Sequence, residues 1–121
     1  MELKTLSYNF TVCKLSNIDN INLKSEFCFF GKTDEEISLV CKTEDTPADT
    51  IKRDDNWRCF RIEGILDFSL IGILSKLSAI LAENKIGIFA ISTYNTDYIL
   101  VKSENYDRAL RVLKKAGYSV I

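Results

Sequence analysis

The chain has 121 residues, 46% hydrophobic and 27% charged, with 16 basic against 17 acidic side chains for a formal charge of −1. That is the make-up of one ordinary globular domain or two very small ones, and the balance lacks the basic excess of a nucleic-acid-binding protein. Histidine is absent, which removes the commonest general base, every Ser–His or Cys–His pair and the commonest metal ligand.

Taken in chain order, Tyr8 to Leu15 reads as a strand, with Tyr8, Phe10 and Val12 on one face. Asn17 to Lys24 is short and polar, at most one or two helical turns. Glu26 to Gly31 and Ile37 to Lys42 are two further strands around Thr33-Asp34-Glu35-Glu36. The polar run Thr43 to Thr50, which holds the only proline (Pro47), and the cluster Lys52 to Asn56 read together as a connection between two halves.

The second half is clearer. Trp57 to Glu63 is rich in aromatic and β-branched residues and reads as a strand ended by Gly64. From Ser69 to Asn84, Leu70, Leu74, Leu77 and Leu81 repeat at helical spacing. Asp67 or Ser69 can cap this helix, Asn84 can stop it in a left-handed conformation, and Lys85 suits its C-terminal dipole. Ile86 to Thr93 and Tyr98 to Lys102 are strands joined by Tyr94-Asn95-Thr96-Asp97. Ser103 caps a helix from Glu104 to Ala116 with Tyr106, Ala109, Leu110 and Leu113 on one face, Gly117 ends it, and Tyr118 to Ile121 adds a short strand. The order is β-α-β-β-α. The first half repeats it as β-(short α)-β-β, so the chain reads as two related units.

Several motifs carry less than they promise. Gly31-Lys32-Thr33 lacks the upstream glycine of a phosphate loop, having Glu26 at that position. The acidic groups Asp34-Glu35-Glu36, Glu44-Asp45 and Asp54-Asp55 lie in polar turns without calcium-loop spacing. The four cysteines Cys13, Cys28, Cys41 and Cys59 form no Cys-x-x-Cys pair and sit in apolar or alternating runs, so free buried thiols are expected, with no metal and no cofactor. Met1 to Thr5 shows no signal pattern, and the apolar stretch Phe68 to Ala82 is interrupted and too short to span a bilayer. A cytoplasmic protein without membrane or nucleic-acid partners is the resulting expectation.

The segment from Glu63 to Leu74 stands apart: a strand end, an acidic and hydroxyl-bearing turn and a helix start fall within it. Free N–H groups at a helix start bind carboxylates and phosphates. Gly72 in the first helical turn costs about 1 kcal/mol against alanine, which is odd unless a close approach needs the missing side chain. The competing reading is a helix packed tightly on its own sheet.

This order, with Gly72-Ile73-Leu74 and Leu81-Ala82-Glu83-Asn84-Lys85-Ile86-Gly87-Ile88, resembles the ACT-domain family. Trp57 to Gly64, Leu66 to Leu70 and Phe89 to Val101 look like a bacterial group of tandem ACT proteins similar to the cytosolic arginine sensors, with Phe29-Phe30 and Thr33 to Cys41 carrying a looser likeness. The resemblance implies an α+β, ferredoxin-like fold of two ACT-like βαββ(α) units, with antiparallel sheets and helices on one face. A degenerate unit would occupy 1–56 and a full ACT domain 57–121. It further implies a non-catalytic, allosteric amino-acid sensor, homodimeric or larger, with its ligand at an ACT–ACT interface. The implied site is Asp67, Phe68, Ser69, Leu70, Ile71 and Gly72, with Ile91, Ser92 and Thr93 from the strand and Asn95 and Asp97 from the adjoining turn. The ligand carboxylate would meet the N–H groups near Ile71 and Gly72, and its ammonium Asp67 or Asp97. Two other readings compete: an interaction module without a small ligand, and a small enzyme, for which no nucleophile or base can be nominated.

Overall fold

A computed structural model describes residues 1–63 and 72–121. The chain divides into two compact units, a split unit of Met1–Ser7 with Arg58–Ile121 and an inner unit of Tyr8–Trp57. Two long strands, β1 (Glu2–Leu15) and β4 (Lys52–Ile62), lend a segment to each. The cluster Lys52 to Asn56, expected as connection, is therefore strand. Its exposed polar side chains hide that from the sequence, because the pairing that fixes it comes from β1.

In the inner unit, β2 (Cys28–Lys32) and β3 (Ile37–Lys42) follow β1, and the strand order is β2-β3-β1-β4. Both β2–β3 and β1–β3 are antiparallel, with Val12 opposite Val40 and Phe29 opposite Val40 from the other side. One face buries Cys13, Leu15, Leu39 and Cys41, with Ile21, Cys28 and Ile37 packed against them. Asn17 to Lys24 forms turns and no helix. The cause is local: Asn17 Oδ1 accepts the N–H of Asp19 and Asn22 Oδ1 that of Lys24, and such bonds compete with helical ones. Thr11 is fully buried, its hydroxyl 2.6 Å from Asp55 Oδ1 and 3.0 Å from the Thr43 hydroxyl, while Arg53 donates to the same Asp55 oxygen.

In the split unit, β5 (Phe89–Ser92) and β6 (Asp97–Lys102) make an antiparallel hairpin, and the order β1-β4-β6-β5 continues on the other side of β1 with β7 (Ser119–Val120). β7 runs parallel to Glu2–Leu3, a departure from an all-antiparallel sheet. Helices α1 (Ile73–Glu83) and α2 (Ser103–Lys115) share one core with the strands: Leu77, Leu81, Tyr106, Ala109 and Leu113 pack with Leu3, Phe60, Ile62, Ile99 and Val101. Each fully buried leucine, isoleucine, valine or phenylalanine among them contributes on the order of 1.5–3 kcal/mol of transfer free energy.

Both helix ends close by the same bonding. After α2, Gly117 at φ 106 lets its N–H reach Lys114 O and that of Tyr118 reach Leu113 O. After α1 the left-handed residue is Lys85, at φ 58, and not Asn84, whose φ is −96. Ile86 N–H then bonds Leu81 O at 3.0 Å, and both side chains join the core. α2 begins at Ser103 itself, one residue before the expected start, with Lys102 in the capping position. Among the described residues, no helix is long and apolar enough to cross a membrane.

Candidate functional site

Asp67, Phe68, Ser69, Leu70 and Ile71 lie outside the described residues. Gly72 is the capping residue of α1, at φ 84, and it accepts the Lys76 N–H at 2.9 Å. None of the described residues would come within 4 Å of a Cβ added there. A left-handed backbone is by itself enough to favour glycine there.

The strand residues of the candidate site gather at one end of the β5–β6 hairpin. Ile91 is half-buried, and Ser92 pairs with Asp97 in register, its hydroxyl donating to Asp97 Oδ1. Asn95 is exposed at the tip, beside Tyr94 at 81% exposure. Thr93 closes the turn, its N–H bonding Thr96 O at 2.9 Å and its hydroxyl bonding the same carbonyl at 3.0 Å.

One residue missed by the sequence reading holds this corner in place. Thr96 is buried and donates its hydroxyl to Ile62 O at 2.7 Å. Ile62 is the last residue of β4, so the bond anchors the hairpin turn to the strand that feeds segment 64–71. Nothing in the sequence separates this threonine from an exposed turn residue, because its partner is 34 positions away. A cation also went unnamed. Arg61 donates to Glu63 Oε2 at 3.2 Å and to the Tyr98 hydroxyl at 3.4 Å. The Tyr98 bond, then that to Glu63, raises its pKa against burial and keeps the guanidinium charged.

The chemistry on offer is that of polar recognition: a carboxylate (Asp97), hydroxyls (Ser92, Thr93), an amide (Asn95) and a guanidinium one strand away. A cavity of about 280 Å³ lies beside the first turn of α1, lined by Met1, Ile73, Lys76, Ala116, Gly117 and Tyr118. No described candidate residue lines it. Among the described residues no group of three or more Cys, Asp or Glu converges as a metal site. The thiols are free, with Cys13, Cys41 and Cys59 buried and Cys28 half-buried. Burial pushes the Cys59 thiol up to about 12 and Cys13 to about 11.

With the fold in view, the ACT-domain model matches residues 52–115. The chain belongs to the ACT-domain family. The ACT fold is an α+β arrangement of antiparallel strands and two helices, as found here. A protein from Agrobacterium tumefaciens, Atu0741, is 30% identical and superposes with a TM-score of 0.88, covering 99% of this chain and 91% of that one. VC0802 from Vibrio cholerae, described as of unknown function and a possible transport protein, is 19% identical with a TM-score of 0.73, covering 94% and 88%. The ligand-free regulatory subunit of aspartate kinase from Thermus thermophilus is 10% identical with a TM-score of 0.68, covering 95% and 96%. At those lower identities the likeness is one of ACT fold alone. No curated protein matches the sequence.

Proposed function

We propose that this ACT protein is a non-catalytic regulatory sensor that binds a small amino acid at an interface between ACT units, as a homodimer or larger assembly. The observation that carries the reading is the anchored hairpin end, where Ser92 bonds Asp97, Thr93 bonds Thr96 O and Thr96 bonds Ile62 O, with Asn95 exposed at the tip. Family membership supports it, as does the regulatory role named for the Thermus thermophilus relative. Under this reading Asp67 or Asp97 meets the ligand ammonium. The N–H groups near Ile71 and Gly72 meet its carboxylate, and Phe68, Ser69, Leu70 and Ile91 complete the contact.

The tandem reading, with a degenerate ACT-like unit over 1–56 and a full one over 57–121, is part of the proposal. Support comes from matching local geometry. β3 and β6 are six residues each with the same burial pattern, and Lys42 and Lys102 end them at φ −59, ψ 141 and φ −56, ψ 141. The turns before them match too: Thr33 N–H bonds Glu36 O at 2.9 Å, as Thr93 N–H bonds Thr96 O. After Lys102 the chain continues as α2. After Lys42 only the 3₁₀ turn Thr43–Asp45 forms, because Pro47 has no N–H for a longer helix and its ring would clash with the preceding turn.

A thermal-shift panel of the common amino acids tests the function. Ligand at about 100 times its Kd adds about 2.7 kcal/mol, a shift of several degrees. Asp97→Asn and Ser92→Ala are expected to abolish the response while leaving the oligomeric state intact. If no amino acid moves the transition at millimolar concentration, the sensor reading fails and a ligand-free interaction module takes its place.

A further inference from the structure

Three of the four cysteines stand on adjacent strands of the inner unit: Cys28 on β2, Cys41 on β3 and Cys13 on β1. The register sets Cys28 directly opposite Cys41. Directly opposed residues of an antiparallel pair point to the same side, with Cα atoms about 4.5 or 5.5 Å apart. Both spacings fall inside the range of roughly 4.4–6.8 Å that a disulfide bridges. Cys13 stands opposite Leu39 and is only a diagonal neighbour of Cys41. Diagonal pairs lie about 7–8 Å apart, at or beyond that range. Access follows the same order. Cys28 is half-buried on the edge strand, whereas Cys41 is 2% exposed behind it.

We propose that Cys28 and Cys41 form a redox-active dithiol that closes to an intrachain disulfide by exchange with a small disulfide oxidant such as oxidised glutathione. The Cys28 thiolate attacks one glutathione sulfur, the glutathione S–S bond breaks, and one glutathione leaves as a thiolate that takes up a proton. Cys41 gives its proton to solvent and attacks the Cys28 sulfur, which expels the second glutathione. The two protein thiols lose two electrons in total and the oxidant becomes two molecules of reduced glutathione. The bond joins β2 to β3 at the end away from the Thr33–Glu36 turn, so it locks the register of an edge strand that among the described residues has one neighbour.

The surroundings set the rate. Burial, then Asp45, raises the Cys28 thiol. Cys41 is raised by burial, Asp45 and Cys28 against the Thr46 hydroxyl bond and Arg53. Closure is therefore slow at neutral pH and speeds up about tenfold per pH unit as the thiolate fraction grows.

The test is to incubate the full chain with oxidised glutathione at about pH 8, alkylate the remaining thiols, and map the unreduced peptides by mass spectrometry. A peptide pair joined through Cys28 and Cys41, with Cys13 and Cys59 alkylated, is expected, and a non-reducing gel shows no cross-linked chains. Cys28→Ser removes the product and Cys13→Ser preserves it. A Cys13–Cys41 link, an intermolecular link, or glutathione trapped on Cys28 beside an alkylated Cys41 overturns the proposal. The wild-type map decides the matter even where a variant folds poorly.

Discussion

Replacing Thr96 by valine isolates the bond that anchors the hairpin corner. Valine keeps the branched shape, so no cavity opens, and the backbone bonds between Thr93 and Thr96 remain. What is lost is the hydroxyl proton that Ile62 O accepts at 2.7 Å, in a site where Thr96 is 8% exposed and water cannot readily take over. An orphaned buried acceptor costs about 1–3 kcal/mol. For a chain of this size each kcal/mol lowers Tm by roughly 3–6 °C. Thr96→Ser retains the hydroxyl and gives up one methyl group, a loss of about 0.8 kcal/mol or less. Urea denaturation of the three proteins, fitted with a common slope, measures both differences. Serine is expected close to wild type and valine well below it. If valine matches wild type, or serine falls as far as valine, the hydroxyl bond does not hold this corner. The amino-acid response should follow the same ranking.

Gly72→Ala puts a Cβ on a left-handed backbone where no described residue lies within 4 Å, so the cost expected is conformational, about 1–2 kcal/mol. Gly72→Asn should cost less, and equal losses in a thermal melt would show that a contact decides instead. Lys85→Gly relieves the same strain after α1 and is expected to stabilise by about 0.5–1 kcal/mol. A stability drop would mean that the lysine side chain contributes more than its backbone costs. Alkaline pH tests the buried acids. Cys13 and Cys59 rise from 9.0 to about 11 and about 12, and Tyr106 from 10.0 to about 12, all chiefly by burial. Below pH 9 each stays protonated in both states. Above it the unfolded chain ionises first, so stability falls by on the order of 1 kcal/mol per pH unit for each thiol until the folded group titrates. Chemical denaturation from pH 7 to about 10.5 checks this, with Cys59→Ala flattening the decline.

Much of the split unit was legible because its signals are local. Leu74, Leu77 and Leu81 repeat at helical spacing and do face the core, as do Tyr106, Ala109 and Leu113; in the inner unit, Ile37–Lys42 is a strand at the residues expected. Failures came where distant partners decide. Lys52–Asn56 looks like solvated linker, yet Thr11 and β1 make it strand. Lys85 rather than Asn84 takes the left-handed position because Leu81 and Ile86 must meet in the core, and packing outweighs the asparagine preference. Of the candidate site, the residues that the family resemblance implied at 91–97 lie together at one end of the β5–β6 hairpin. Thr96 and Arg61 stayed hidden because their partners come from other strands.

The sharing of β1 and β4 also has a kinetic meaning. Leu3 belongs to a core completed by Phe60, Leu81 and Leu113, and Thr5 N–H bonds Ile121 O. The inner unit needs only the uninterrupted run Tyr8–Trp57, whereas Met1–Ser7 close their own unit only once Arg58–Ile121 is in place. Loop closure over nearly the whole chain is slow compared with local pairing. Folding should therefore begin within Tyr8–Trp57, with the long-range β1–β7 ladder the last to gain protection from hydrogen exchange.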